Sequence, residues 1–483
     1  FTMNREDMGK GTVSAHWIEN EKKISIRCKI GKEKQALLEM AGAYYPSGHQ
    51  LNFSINLNKF KIRPLSMYLE GILSKVDGFA TGAMTLTGNT DYPLLNGKLM
   101  VQRGSFLVDY LQTTYSFTTP MLIDNNRFII SNATMNDENG KEATVQASLF
   151  ASRFRDYYID VQIDARDFMF MNTKETDNIY FYGKAIGTGQ IKISGTPSDM
   201  NIAVNARTRQ NTHVSIPFST GEIEEKKFIT FVNKKKNSEE ELDLIEKKVM
   251  QASTGTGFTF SLNVEATHDA KVDLILDPII GDAITANGRG NIQFEMDNLG
   301  KFKMYGRYTI DEGDYRFSLK SVIVKHFKVD KGGVIEWHGD PLDANIDLKT
   351  IYRTRASLAN VLPDNTTQVS QTRVPVECWL YLKGKLLNPT MKYDIYLPSS
   401  TEETRTKLKT ILTPEELPRQ FIWLLVTSTF YTDPNKAKPG QSMAGSSTTG
   451  ATYDMFSSYL NNLLGKNAWD LGVMMSAGSI EVG

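Results

Sequence analysis

Residues 144–165 read Thr-Val-Gln-Ala-Ser-Leu-Phe-Ala-Ser-Arg-Phe-Arg-Asp-Tyr-Tyr-Ile-Asp-Val-Gln-Ile-Asp-Ala. Val145, Ala147, Leu149 and Ala151 are each separated by one residue, and after a turn around 153–156 the pattern resumes with Ile159, Val161, Ile163 and Ala165. Successive side chains of a strand point to opposite faces, so this stretch predicts two strands, each with one apolar and one mainly polar face. The same period of two recurs at Phe258, Phe260, Leu262, Val264 and Ala266, at Val272, Leu274 and Leu276, and at Ile292, Phe294 and Met296. It returns at Val374, Val376, Cys378, Leu380 and Leu382. Antiparallel sheets with one wet face read this way, whereas buried parallel sheets read as continuous apolar runs. Asn, Asp, Gly and Ser punctuate the segments as turns require. The fold class is therefore all-β.

A looser repeat lies over the alternation. Gly82-Ala-Met-Thr-Leu-Thr-Gly88 is echoed by Gly189-Gln-Ile-Lys-Ile-Ser-Gly195, and Gly97–Phe106 by Gly306–Tyr315, with glycines at offsets 0 and 7. Copy spacing is irregular, so no strict solenoid period exists. Two regions break the strand pattern. Residues 220–256 are rich in Glu and Lys, with a capping box at Ser238–Glu241 and Leu242, Ile245 and Val249 at helical spacing, which predicts a short helix in a charged surface insertion. In 399–465, Ser400–Glu403 opens one predicted helix and Thr413-Pro414-Glu415-Glu416 a second, with Pro at the first helical position. A Gly/Ser/Thr-rich loop follows at 439–452. Phe456, Tyr459, Leu460, Leu463 and Leu464 then form an amphipathic stripe, for which packing on the sheet end or membrane contact are the two readings.

Composition bounds the function. The 483 residues carry 55 Lys+Arg and 55 Asp+Glu, so there is no basic excess to neutralise phosphates and no nucleic-acid partner is expected. Two cysteines, Cys28 and Cys378, exclude a disulfide-dense scaffold. The longest purely apolar run is 421–426, far short of the ~20 residues of a spanning helix. The six histidines occur in no metal-ligand spacing, and no nucleophile elbow or phosphate loop is present. Asn136–Gly140 has Met135 at what would be the first ligand position of a calcium loop and reads as a plain turn. The expectation is a non-enzyme without cofactor or metal.

The most specific residues lie in 306–398. Gly306–Phe317 is followed by Phe327–Pro341 with its Gly339-Asp340-Pro341 element, by Leu342–Leu348 and Ala356–Leu358, and by Leu380–Pro398 with its Leu387-Asn388-Pro389 element. This succession resembles the C-terminal conserved domain of the TamB family, the translocation and assembly module subunit of diderm bacteria, in a Bacteroidota-like form. The match is strongest over 258–465, and Pro93–Phe106 resembles the family's earlier repeats.

The resemblance implies a long, U-shaped, mostly antiparallel sheet (a β-taco) with an apolar groove, plus short helices near the C-terminus, within the AsmA-like bridge-type lipid transfer proteins. It implies phospholipid acyl chains as cargo and an outer-membrane barrel of the TamA type as partner. It further implies a periplasmic setting and membranes at both ends of the full-length protein. An inner-membrane anchor is expected upstream of Phe1, the chain being read as part of something longer. Domains are expected at 1–257, with the insertion at about 220–256, at 258–400 and at 401–483. By strand parity the groove lining is expected to be Val145, Ala147, Leu149, Ile159, Val161, Ile163, Phe258, Phe260, Leu262, Val264, Val272, Leu274, Leu276, Ile292, Phe294, Met296, Leu380 and Leu382. About 35 strands are expected over the first ~400 residues, which at ~4.8 Å per strand give a sheet of about 170 Å.

Three alternatives share the alternation. A closed sandwich would use the apolar positions as core. A transmembrane barrel would turn one face to lipid, and Lys98, Lys192, Glu265 and Asp273 are poor choices for that. An assembly factor would offer an open sheet edge to barrel strands without carrying lipid.

Overall fold

The computed structural model describes residues 2–3, 6–32, 35–69, 72–154, 156–177, 181–218, 257–277, 281–319, 323–359, 361–362 and 372–431. The charged insertion, the Gly/Ser segment and the stripe Phe456, Tyr459, Leu460, Leu463 and Leu464 lie outside the described residues. The chain is all-β, a large and mostly antiparallel sheet with two short helices towards the C-terminus. Its first strands are β1 (Thr2–Met3), β2 (Glu6–Asp7), β3 (Lys10–Ile18), β4 (Lys23–Lys32), β5 (Gln35–Tyr45), β6 (Gln50–Lys61), β7 (Leu73–Gly88) and β8 (Pro93–Val108). Then come β9 (Thr113–Asp124), β10 (Arg127–Asn136), β11 (Glu142–Ser152), β12 (Asp156–Thr173), β13 (Tyr182–Thr196), β14 (Asp199–Thr208), β15 (His213–Pro217) and β16 (Phe258–Ala266). The last are β17 (Lys271–Asp277), β18 (Asp282–Met296), β19 (Phe302–Leu319), β20 (Ile323–Val329), β21 (Val334–Gly339), β22 (Asn345–Ser357), β23 (Arg373–Lys385) and β24 (Asn388–Tyr396). The helices are α1 (Glu402–Ile411) and α2 (Leu417–Thr427). Among the described residues there are thus 24 strands against the ~35 expected over the first ~400, because most strands are long, β7 and β8 running for 16 residues each and β12 and β19 for 18.

The chain divides into two compact units. Their described residues fall, for the first, within Phe1–Ser215, Thr220–Lys271 and Gly290–Tyr305 and, for the second, within Ile216–Ser219, Val272–Arg289 and Gly306–Gly483.

In the first unit, β3 to β14 pair antiparallel with their sequence neighbours, and β16 adds to β14 in parallel. Tight turns permit this. Asn125 and Asn126 both adopt left-handed backbone between Asp124 and its partner Arg127, the geometry that matches strand twist and that Asn tolerates.

Three long strands carry the same irregularity. Leu57 to Phe60 in β6 oppose Gly82 to Ala80, Val101 to Gly104 in β8 oppose Thr119 to Phe117, and Ala165 to Phe168 in β12 oppose Gly189 to Gly187. In each the strand holds one extra residue, a β-bulge, and Lys59, Arg103 or Asp167 turns left-handed there. Each of those N–H groups, lost to the ladder, donates to a threonine of the next strand: Lys59 to Thr81 (3.0 Å), Arg103 to Thr118 (3.2 Å) and Asp167 to Thr188 (3.1 Å). The β6 and β8 bulges flank the same cross-strand line, Phe60–Ala80–Val101. Bulges at one level bend neighbouring strands together.

In the second unit, β22 pairs with β23 from Asn345–Lys385 to Ser357–Arg373, and β23 with β24. Its buried face gathers Ile310, Phe327, Ile335, Leu348 and Leu380. Thr401 caps α1, its hydroxyl accepting the Thr404 N–H at 3.3 Å, with Glu402 and Glu403 in the first turn where the helix dipole favours them. The second helix begins at Leu417, not at Pro414. Thr413–Glu416 instead form a turn whose Thr413 carbonyl accepts from both Glu416 and Leu417, and Pro418 takes the early helical position where no N–H is needed. Because residues 421–426 are apolar without interruption, every side of that part of α2 is best buried, and the helix packs on β22, β23 and β24.

Candidate functional site

Cross-strand register turns alternation into rows. In the first unit one row of directly opposed residues runs Val13, Cys28, Met40, Ile55, Met84, Gly97, Ile123, Phe128, Leu149, Ile159, Gly195, Met200 and Phe258. Beside it runs Ile130, Ala147, Val161, Ile193, Ile202, Phe260 and Met296. A third row is Val145, Ile163, Ile191, Val204, Leu262 and Phe294, and a fourth is Ala143, Ala165, Gly189, Ala206, Val264 and Ile292. Rows two residues apart stand about 6.7 Å from each other, so four rows span roughly 20 Å along each strand.

These rows hold no charged or hydrogen-bonding side chain, and most of their large members are half-buried, neither sealed nor free. At β3 the row is open. Val13 is 72% and Trp17 52% exposed, and residues 10–17 are all exposed, as on a sheet edge. Gly189 shows why small residues interrupt the rows: a Cβ there would stand 2.1 Å from the Asn205 carbonyl oxygen.

The opposite face of the same strands is polar. Gln162 and Gln190 donate to Asp164 at 3.0 and 2.8 Å, and the Gln162 bond, then the Gln190 bond, hold its carboxyl below the usual carboxylate range. Asn263 donates to Asn205 at 2.9 Å, and Arg207 stands 3.4 Å from Glu265. The two faces therefore differ in kind: one is dry and featureless, the other hydrated and laced with polar pairs.

Of the residues expected to line a groove, Val145, Ala147, Leu149, Ile159, Val161, Ile163, Phe258, Phe260, Leu262, Val264, Ile292, Phe294 and Met296 stand together in these rows. Val272, Leu274, Leu276, Leu380 and Leu382 belong to the second unit. There Leu380 and Leu382 are 0% and 1% exposed, on the face that carries α2, so in the structure they meet protein and not open space. The centre of the rows, Ile191, Ile193, Ile202 and Val204, was not among the expected lining residues. Its signal was the segment Gly189–Gly195, visible as a repeat but not assigned to the apolar face.

The Asn136–Gly140 segment is a turn, as its sequence indicates. Asp137 spends its carboxylate on the backbone N–H groups of Asn139, Lys141 and Met169, at 2.8, 2.8 and 2.9 Å. Among the described residues no group of three or more His, Cys, Asp or Glu could hold a metal ion. None of their helices is long and apolar enough to cross a membrane, which says nothing of strands.

A protein-family model described as the TamB C-terminal domain matches residues 131–481, more than half of the chain. No curated protein matches it.

Proposed function

This chain belongs to the TamB family, which points to a role in outer-membrane protein assembly or lipid transport, and from that premise we propose that the apolar rows of the first unit are a track for phospholipid acyl chains. The observation that carries this reading is the four parallel rows, which are continuous over six strands, free of polar side chains and half-buried at most of their large members, although Ala143 and Ala165 of the fourth row lie in a buried cluster with Tyr115, Met135 and Phe168. Each CH2 kept from water is worth about 0.8 kcal/mol, so a sixteen-carbon chain gains on the order of 12 kcal/mol on a dry surface. Roughly 20 Å of apolar width accommodates such a chain. The absence of specific contacts along the rows favours sliding over capture, because no site along them binds better than its neighbours. The aligned bulges support a surface curved around its cargo. The setting is the periplasm, the partner at the outer membrane is a barrel of the TamA type, and the protein does not catalyse a reaction.

A second reading is favoured by the exposed strand β3, with Val13 and Trp17 on its apolar face: barrel strands could add to this edge during assembly. Leu262→Arg places a charge within the third row, between Val204 and Phe294, and leaves β3 untouched. In cells of a bacterium with an outer membrane, the track predicts that this variant stops lipid supply. Lipid supply and barrel insertion both intact in this variant would instead favour the edge.

A further inference from the structure

The corresponding face of the second unit is also largely apolar, with Thr350, Tyr352 and Tyr393 among its members, yet it is covered. Cross-strand sets Leu348–Leu382–Met391, Thr350–Leu380–Tyr393 and Tyr352–Cys378–Ile395 run over β22, β23 and β24. These ladders are complete by themselves, and α2 adds no strand to them. It lies on them through side chains: the Phe421 ring stacks on Phe327 at 6.1 Å between centroids and meets Tyr393 at 4.9 Å. Such ring contacts are non-directional, and hydrocarbon can replace them with little loss.

Polar bonds tie the C-terminal end of α2 to the sheet. Ser428, in left-handed backbone, shares a hydrogen bond with the Thr354 hydroxyl at 3.0 Å, and its carbonyl accepts from Arg373 at 3.0 Å. Gln420 and Tyr431 exchange two bonds across the turn that follows, so the helix and this turn hold together as one piece. A rigid apolar piece, tied by a small polar latch to an otherwise finished sheet, is the anatomy of an element that can lift.

We propose that α2 is a displaceable stopper: it occupies the apolar face of β22–β24 in the unloaded protein and gives way to phospholipid acyl chains, with Thr354 and Arg373 latching Ser428. The inference rests on the track reading above and adds to it a second apolar face, covered in the unloaded protein, and the ligand that uncovers it. A lipid shifts this equilibrium because it binds only the lifted state.

The chain carries its own reporter. Cys378 is 0% exposed on the face that carries α2, and burial pushes its thiol up, so it is unreactive while covered. With Cys28→Ser removing the other thiol, alkylation of Cys378 by N-ethylmaleimide is followed by mass spectrometry, with and without phosphatidylethanolamine/phosphatidylglycerol vesicles. A photoreactive residue at position 262 reports in the same sample whether lipid has reached the first unit. Vesicles are expected to speed Cys378 alkylation about tenfold, and Arg373→Gln or Thr354→Ala to raise the lipid-free rate while the thermal midpoint stays near wild type. Lipid adducts at 262 with Cys378 still protected would overturn the stopper and leave the track standing. An absence of adducts at 262 would overturn both. Latch variants that alkylate no faster than wild type would overturn the assigned latch and, with it, the stopper as stated.

Discussion

The first unit and the second are written in the same alternating code, yet the apolar face of one is half open and that of the other is sealed. Ile163, Ile193 and Leu262 keep partial access to solvent, whereas Leu348, Leu380 and Cys378 have none. Parity decides which side chains share a face. What lies on that face is decided by another segment altogether: α2, which packs on β22 and β23 from tens of residues further along the chain. A strand pattern therefore describes a surface and leaves open whether it is a core or a track.

The comparison breaks most visibly in stability. Leu348→Ala empties a sealed position and is expected to cost about 2–5 kcal/mol, whereas Leu262→Ala, already half open, is expected to cost about 1 kcal/mol. Urea denaturation of the two variants measures this, and equal losses would mean that the first unit is packed like the second.

A second expected difference is confined to the second unit. Burial leaves the Asp282 carboxyl pushed up to about 7, opposed by the Ser318 N–H that it accepts at 2.5 Å and by Arg316 and aided by neighbouring Asp277. The folded value lies above the unfolded one near 4, so the native state holds a proton that the unfolded chain releases. This contribution to stability is complete below about pH 4 and is lost as pH rises through about 7, a fall on the order of 2–4 kcal/mol. Asp282→Asn keeps the acceptor and removes the titration. Its urea midpoint is expected to exceed wild type at pH 8 and to match it at pH 4. A variant that tracks wild type at both values would contradict this.

The bulges give a smaller effect in the first unit. Thr81→Val removes the acceptor of the Lys59 N–H, and a loss of about 0.5–1.5 kcal/mol is expected from thermal denaturation. The smallest is on the polar face: Asn263→Ala is expected to change stability by less than about 0.5 kcal/mol and lipid loading not at all. A marked loss of loading would mean that the wrong face has been taken as the track.

Much of this was legible from residues alone. The alternation at Val145–Ala151 and Ile159–Ala165 marks two strands and their faces, and Ser400–Glu403 marks the start of α1 to within one residue, the cap itself being Thr401. The bulges were not legible, because Lys59, Arg103 and Asp167 adopt left-handed backbone without a glycine to announce it. Strand count was overestimated for a related reason: a bulged strand such as β12 reads as two short ones. The start of α2 is not legible because Pro414 and Pro418 both suit an early helical position, and only the Thr413 carbonyl, shared by two N–H groups, shows that the first belongs to a turn. The cover over Leu380 depends on long-range packing that no local pattern encodes.

The central claim is most directly tested by site-specific photocross-linking in cells, with the photoreactive residue placed in turn at Val161, Ile202 and Leu262 on the rows and at Gln162, Lys192 and Asn263 on the opposite face. The account predicts phospholipid adducts at the first three and none at the other three. Adducts on both faces alike, or on neither while the protein remains functional, would contradict it.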